Sequence, residues 1–136
     1  ANLSHWRASA HCTLEAALLT HADLSQACLQ HCDLSGADLR GATLNAALLQ
    51  HCNLSATHGA QLVAQNAYFS DCNLSNAQWP EANLLDSRLR KVCLERVDLR
   101  SSNLHGLRSE GANSKEIYLN HALMTRCNLR EDLASG

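Results

Sequence analysis

The chain of 136 residues repeats itself every five residues. Of the 24 positions from 14 to 129 taken in steps of five, 17 are Leu, and Phe69, Trp79 and Met124 bring the large apolar side chains to 20. An α-helix returns to the same face about every 3.6 residues and a strand about every 2, so a five-residue spacing smears around a helix and alternates between the faces of a strand. Neither element buries these side chains together. Two residues before each Leu stands a second small side chain, unbroken through Cys12, Ala17, Ala22, Ala27, Cys32, Ala37, Ala42, Ala47 and Cys52. The residue between the two is often Asp, Asn or Thr.

A longer period lies over the first. HCTL, HCDL, HCNL and DCNL begin at His11, His31, His51 and Asp71, twenty residues apart, which is four pentapeptides. A chain that turns a corner after each pentapeptide closes a square in twenty residues and stacks the next square on it, with Leu and the small residue pointing inward. Each coil then hydrogen-bonds to its neighbours as in a parallel sheet, about 4.8 Å away. The composition suits this geometry. Twenty-five Leu and 20 Ala stand against three Val, one Ile and five aromatic residues, too few β-branched residues for ordinary sheets. A Leu/Ala-rich helical bundle would fit the composition but not the register.

At this point the sequence resembles a known family. The motifs ANL (Ala1 to Leu3), ADLS (Ala22 to Ser25), ADLR (Ala37 to Arg40), CNLS (Cys52 to Ser55) and EANLL (Glu81 to Leu85) look like the A(D/N)Lxx consensus of pentapeptide-repeat proteins. The resemblance implies an all-β solenoid, a right-handed quadrilateral parallel β-helix of about six 20-residue coils, roughly 29 Å long at the sheet spacing. It divides the chain into an N-terminal partial repeat and cap (1–10), the β-helix (11–131) and a C-terminal tail (132–136).

The register also marks where the rod should be irregular. Leu3 lies one residue out of phase, so one inserted residue separates ANLSH from the regular coils and leaves Trp6 to cover the open end. Gly59 and Ala64 replace the central Leu, and a distorted corner is expected there, with Leu62 restoring some inward volume. Ser109 and Ser114 make a second weak point. The tail REDLASG is short and polar; no helix able to cap or dimerise the rod is expected in it, as in a fragment of a longer chain.

Composition narrows the function. Eleven basic residues against 13 acidic ones give a net charge of -2, with no global field to attract nucleic acid, so direct nucleic-acid binding is not expected. No apolar run approaches the roughly 20 residues of a membrane span, and ANLSHWRASA has no signal-peptide core. Seven Cys without a CxxC pair point to free thiols and a reducing compartment, hence a cytoplasmic protein, a reading compatible with secretion by a route independent of signal peptides.

The candidates for chemistry sort by register. Cys12, Cys32, Cys52 and Cys72 form one inward column and read as small hydrophobes. Cys127 is inward on another face, whereas Cys28 and Cys93 are outward and the first thiols to meet a probe. His11, His31 and His51 form an outward column that could offer neighbouring imidazoles to zinc, yet three in a straight line cannot share one ion. No metal site or cofactor is assigned. Catalysis needs convergent groups in a concave site, and no nucleophile elbow, zinc-protease or phosphate-loop motif occurs, so the chain is not expected to be an enzyme.

The outer wall remains. One outward column of the fourth face reads Cys28, Leu48, Tyr68, Arg88, Arg108, and the next Gln30, Gln50, Ser70, Arg90, Glu110, Arg130. Nine of the eleven Lys/Arg lie within residues 81 to 136, beside eight acids. Leu48, Tyr68, Arg88, Arg90 and Arg108 are therefore the candidate partner-binding residues of a protein-docking surface. The expected function is a non-enzymatic interaction scaffold, free-standing or a module of a larger bacterial protein such as a secreted effector. The resemblance implies an alternative: some pentapeptide-repeat proteins bind DNA gyrase or topoisomerase IV by imitating duplex DNA, protecting against quinolones or peptide toxins. That role asks for an acidic face, and residues 1 to 80 hold five acids and two bases, with Asp23, Asp33 and Asp38 spread over three faces.

Overall fold

A computed structural model describes residues 1–135; the last residue of the expected tail, at 136, lies outside the described residues. The chain winds as a β-solenoid of about six coils with parallel sheets. In chain order its strands are β1 (Arg7–Ala8), β2 (Cys12–Thr13), β3 (Cys28–Gln30), β4 (Cys32–Asp33), β5 (Leu48–Gln50), β6 (Tyr68–Ser70), β7 (Arg88–Arg90), β8 (Val97–Asp98), β9 (Arg108–Glu110) and β10 (Ile117–Tyr118), followed by helix α1 (Leu129–Ser135). Every strand pairing is parallel, and from β2 and β3 onward partners are twenty residues apart, as in Leu29 with Leu49 and Leu49 with Phe69.

One pentapeptide shows why Asp and Leu recur. Ala37 and Leu39 are fully buried, and all five backbone N–H groups from Asp38 to Ala42 find acceptors. Asp38 N–H donates to the Ala17 carbonyl in the preceding coil (2.9 Å), Leu39 to His58 (2.6 Å) and Gly41 to Ala60 (3.0 Å) in the following one, and Ala42 back to Leu39 (3.0 Å) across the turn. The remaining N–H, of Arg40, donates to Asp38 Oδ1 at 3.2 Å. A short acceptor before Leu thus satisfies a donor that the coil geometry leaves over. Corners turn through a left-handed residue two places after the central position, such as Ala16, His51 or Asn76 (φ 56, 54 and 61). This backbone is costly for non-glycine residues, and coil-to-coil hydrogen bonding on both sides maintains it.

The fourth face differs. Its middle residues Cys28, Leu48, Tyr68, Arg88 and Arg108 do not cap the residue two places on, and the chain stays extended for three residues, producing a six-stranded sheet in the order β1-β3-β5-β6-β7-β9. On the other faces the contacts shrink to single bridges and two-stranded pairs.

The expected irregularities fall in part where the register put them. Arg7 pairs with Cys28 and Ala8 with Leu29, 21 residues apart, whereas Cys12 pairs with Cys32, 20 apart, so the inserted residue lies between Ala8 and Cys12. Trp6 packs half-buried on the end of the core. The corner near Gly59 and Ala64 is not distorted. Gln61 and Asn66 keep φ of 61 and 59, and Trp79 of the next coil together with Leu62 of the same coil occupies the space beside Gly59: both side chains are fully buried, as is Phe69 of the same coil, whose ring lies 5.9 Å from that of Trp79. Trp79 Nε1–H donates to the Thr57 hydroxyl (2.9 Å), which donates to the Leu54 carbonyl (2.9 Å).

The second weak point narrows to one residue. Gly111 retains its left-handed corner after Ser109 (φ 69), but Glu116 after Ser114 is absent from the left-handed corners. There the Ser114 hydroxyl donates to the Leu94 carbonyl at 3.0 Å and Ile117 rejoins the ladder opposite Val97.

The chain's end also departs from expectation. Residues 129–135 form α1, with Leu129 fully buried and Leu133 packed on the core; these two, four apart, lie on one helical face. Asp132 fastens the helix to the last coil by accepting from Ser109 Oγ (2.6 Å), Gly111 N–H (2.9 Å) and Ala112 N–H (2.8 Å). The polar tail therefore caps the rod through one carboxylate and two Leu side chains.

Candidate docking face

The sheet of the fourth face places Leu48, Tyr68, Arg88 and Arg108 in direct register. Leu48 and Tyr68 are half-buried and Arg88 and Arg108 exposed. The Arg88 guanidinium carbon lies 5.3 Å from the centre of the Tyr68 ring, a cation–π distance. Arg90, in the next column, meets Asp71 Oδ2 at 3.6 Å, and lower in that column Gln30 Nε2 donates to Gln50 Oε1 (2.9 Å). Among the described residues no carboxylate lies within ion-pair distance of Arg88 or Arg108. A hollow of about 210 Å³ opens between them, bordered by Tyr68, Arg90, Ser109 and Glu110. The five residues singled out from the sequence thus share one surface.

Asp23, Asp33 and Asp38 of the lower coils stand on the other faces and are engaged. Asp23 Oδ1 accepts from Ser25 N–H (3.0 Å) and Asp33 Oδ1 from Ser35 N–H (2.9 Å); the hydrogen bonds with Ser25 and Ser35 hold both carboxyls below their ordinary range. Asp38 makes a two-pronged pair with Arg40 (2.9 and 2.6 Å), which lowers its carboxyl to about 2. Asp98 and Arg100 repeat that pair three coils on, at 2.9 and 2.8 Å.

The histidine column stacks without converging. His31 and His51 stack with ring centres 4.9 Å apart and planes 4° from parallel, so their in-plane lone pairs do not converge, and the register sets His11 beside them as a third parallel position. Among the described residues no three His, Cys, Asp or Glu side chains are placed to share an ion.

The inward thiols have a use that the repeat alone did not reveal. Cys52 Sγ lies 3.4 Å from the Leu29 and Gln50 carbonyls, and Cys72 Sγ 3.4 Å from those of Leu49 and Ser70. Each thiol bonds backbone at the wide corner leaving the fourth face, and its recurrence only there, every twenty residues, is the sequence signal. Burial pushes the Cys32 thiol up to about 12. The neighbouring Cys52 and burial raise the Cys72 thiol as well, while Cys72 draws Cys52 down to about 7. Cys28, Cys93 and Cys127 are each half-buried; burial raises the Cys127 thiol.

Coils that contact only their neighbours, a Leu-and-small-residue core and flat outward ladders define a repeat solenoid. The chain belongs to the pentapeptide-repeat family: pentapeptide repeats, in 8 copies, match residues 10–36, 17–55 and 67–106, more than half of its length. Similar solved structures include the pentapeptide repeat protein Rfr23 from the cyanobacterium Cyanothece 51142, at 22% identity over 90% of this chain and 86% of that one, with a TM-score of 0.39. HetL, a pentapeptide repeat protein involved in heterocyst differentiation regulation from Nostoc sp. strain PCC 7120, is 22% identical over 93% of this chain and 73% of that one, with a TM-score of 0.35. A trypsin-treated form of QnrB1, a plasmid-mediated fluoroquinolone resistance protein, is 20% identical over 90% of this chain and 74% of that one, with a TM-score of 0.34. Comparison with curated protein sequences finds no match. No helix among the described residues is long and apolar enough to cross a membrane.

Proposed function

We propose that the chain is a non-enzymatic scaffold, free-standing or a module of a larger bacterial protein, that docks a protein partner on its fourth face. The observation that carries this reading is the in-register ladder Leu48–Tyr68–Arg88–Arg108 on the one face with a continuous sheet. Its side chains are not consumed by turn capping, and Tyr and Arg are the residue types that most often anchor protein interfaces. A photo-crosslinking amino acid placed at position 48 or 108 should capture the same partner, and one at Thr43 on the third face should not. Equal capture from all three positions would remove the face from the account.

Mimicry of duplex DNA toward gyrase or topoisomerase IV is the other reading. A mimic presents a continuous run of carboxylates, but Asp23, Asp33 and Asp38 point from three faces and bond their own backbone, so the geometry favours the scaffold. A gyrase supercoiling assay separates the two: inhibition by the purified chain supports mimicry, and unimpaired supercoiling supports the scaffold.

A further inference from the structure

We infer that the hollow between Arg88 and Arg108 is a carboxylate clamp, and that the fourth face binds an extended partner segment in which an acidic residue stands three places from an apolar one. The inference rests on the docking reading above and names the partner's chemistry. Arg88 and Arg108 are exact strand partners, on neighbouring backbones about 4.8 Å apart with both side chains on one surface. Like charges directly opposite one another in a sheet repel, and neither has a carboxylate within ion-pair distance among the described residues. An oxyanion between them relieves that repulsion, and guanidinium is the group best shaped to hold one.

The local charge selects the anion. Arg90 is engaged by Asp71 at 3.6 Å, leaving two positive charges, Arg88 and Arg108, against the one carboxylate of Glu110 on the rim of the hollow. A net single positive charge matches a carboxylate better than a phosphate monoester, which carries about -1.5 to -2. Spacing selects the rest of the segment. The gap between Leu48 and Tyr68 lies two coils from the clamp, about 9.6 Å at the sheet repeat. A polyproline II segment returns to the same side every 3 residues with a rise of about 3.1 Å each, about 9.3 Å in all. An acidic side chain in the clamp therefore sets the residue three places away over Leu48 and Tyr68, both half-buried.

The test uses the full chain labelled with ¹⁵N and the peptide acetyl-Gly-Glu-Pro-Pro-Leu-Gly-amide, following the arginine Nε–H resonances. Saturable shifts confined to Arg88 and Arg108, with Tyr68 backbone shifts, are expected. The same peptide with Gln for Glu should bind at least tenfold more weakly, and R88Q or R108Q should lose the response. E110Q, which removes the competing carboxylate, should tighten binding severalfold. Equal binding of the Gln peptide overturns the clamp, as do shifts of the already paired Arg40 and Arg100 matching those of Arg88. Inorganic phosphate acting at lower concentration than the peptide overturns the choice of carboxylate. Loss of the clamp with position-specific crosslinking intact leaves the docking face standing, and the converse result leaves the clamp without the face.

Discussion

Trp79 fills from its coil the space that Gly59 leaves in the coil before it. A Cβ on Gly59 would run into Leu62 Cδ2 of its own coil and fall 2.5 Å from Trp79 Cδ1 and 2.8 Å from Nε1, although Gly59 needs no left-handed backbone. The pair is one packing unit, and its substitutions should be strongly coupled. Gly59→Leu overpacks the core and Trp79→Leu leaves a void, each costing about 2 kcal/mol. The double variant restores two stacked consensus Leu and should recover at least about 1 kcal/mol. Denaturant unfolding of the four proteins measures this coupling; additive losses would show that the two sites do not share one volume.

Ser87 occupies an inward small-residue position and is fully buried, yet its hydroxyl has no hydrogen-bond partner among the described residues. Thr57 and Ser102, at equivalent positions, both donate to carbonyls. Ser87→Ala should therefore stabilise the fold by about 1 kcal/mol, the cost of an unsatisfied buried hydroxyl, seen as a higher denaturation midpoint. Ser102→Ala, which removes a made bond, should lower it.

The register was legible because a solenoid converts sequence period directly into position. One Leu and one small residue per pentapeptide define inside, so the assignment of Leu48, Tyr68, Arg88, Arg90 and Arg108 to one outer surface needed no coordinates. Compensation between coils was not legible from a one-dimensional pattern: the loss of Leu at position 59 reads as a defect, and only stacking places Trp79 in the vacated space. Nor did composition disclose α1. Its polar sequence carries only two Leu, and Asp132 reads as solvent-facing until the N–H groups of Gly111 and Ala112 are seen to converge on it.

Asp132 also makes the cap sensitive to acid. Partial burial opposes its ionisation, but hydrogen bonds from Ser109, Ala112 and Gly111 outweigh burial and hold its carboxyl below the ordinary value. A folded-state shift in that direction contributes stability above the unfolded-state value, about 3.9 for Asp, that is lost as pH falls through the lower folded-state value. Asp132→Ala should cost about 1–2 kcal/mol near neutral pH, and the deficit should shrink below about pH 4. Hydrogen exchange at Gly111 and Ala112 should accelerate in the variant; a pH-independent deficit would contradict a charged cap.

Thiol reactivity should follow the two environments. With iodoacetamide at pH 8, Cys28 and Cys93, at outward positions and half-buried, should react first. Cys32, pushed up to about 12, and Cys72, raised in the same sense, should react only as fast as the rod opens. Peptide mass mapping over time reads the order directly, and early labelling of Cys32 or Cys72 would contradict a closed core.

The most direct test of the docking face is affinity capture with Tyr68→Ala/Arg88→Ala against the unmodified chain and a Thr43→Ala control, each checked for unchanged circular dichroism and melting temperature. The double variant, still folded, should lose the partner that both other proteins retain. Undiminished capture by the double variant would contradict the docking face.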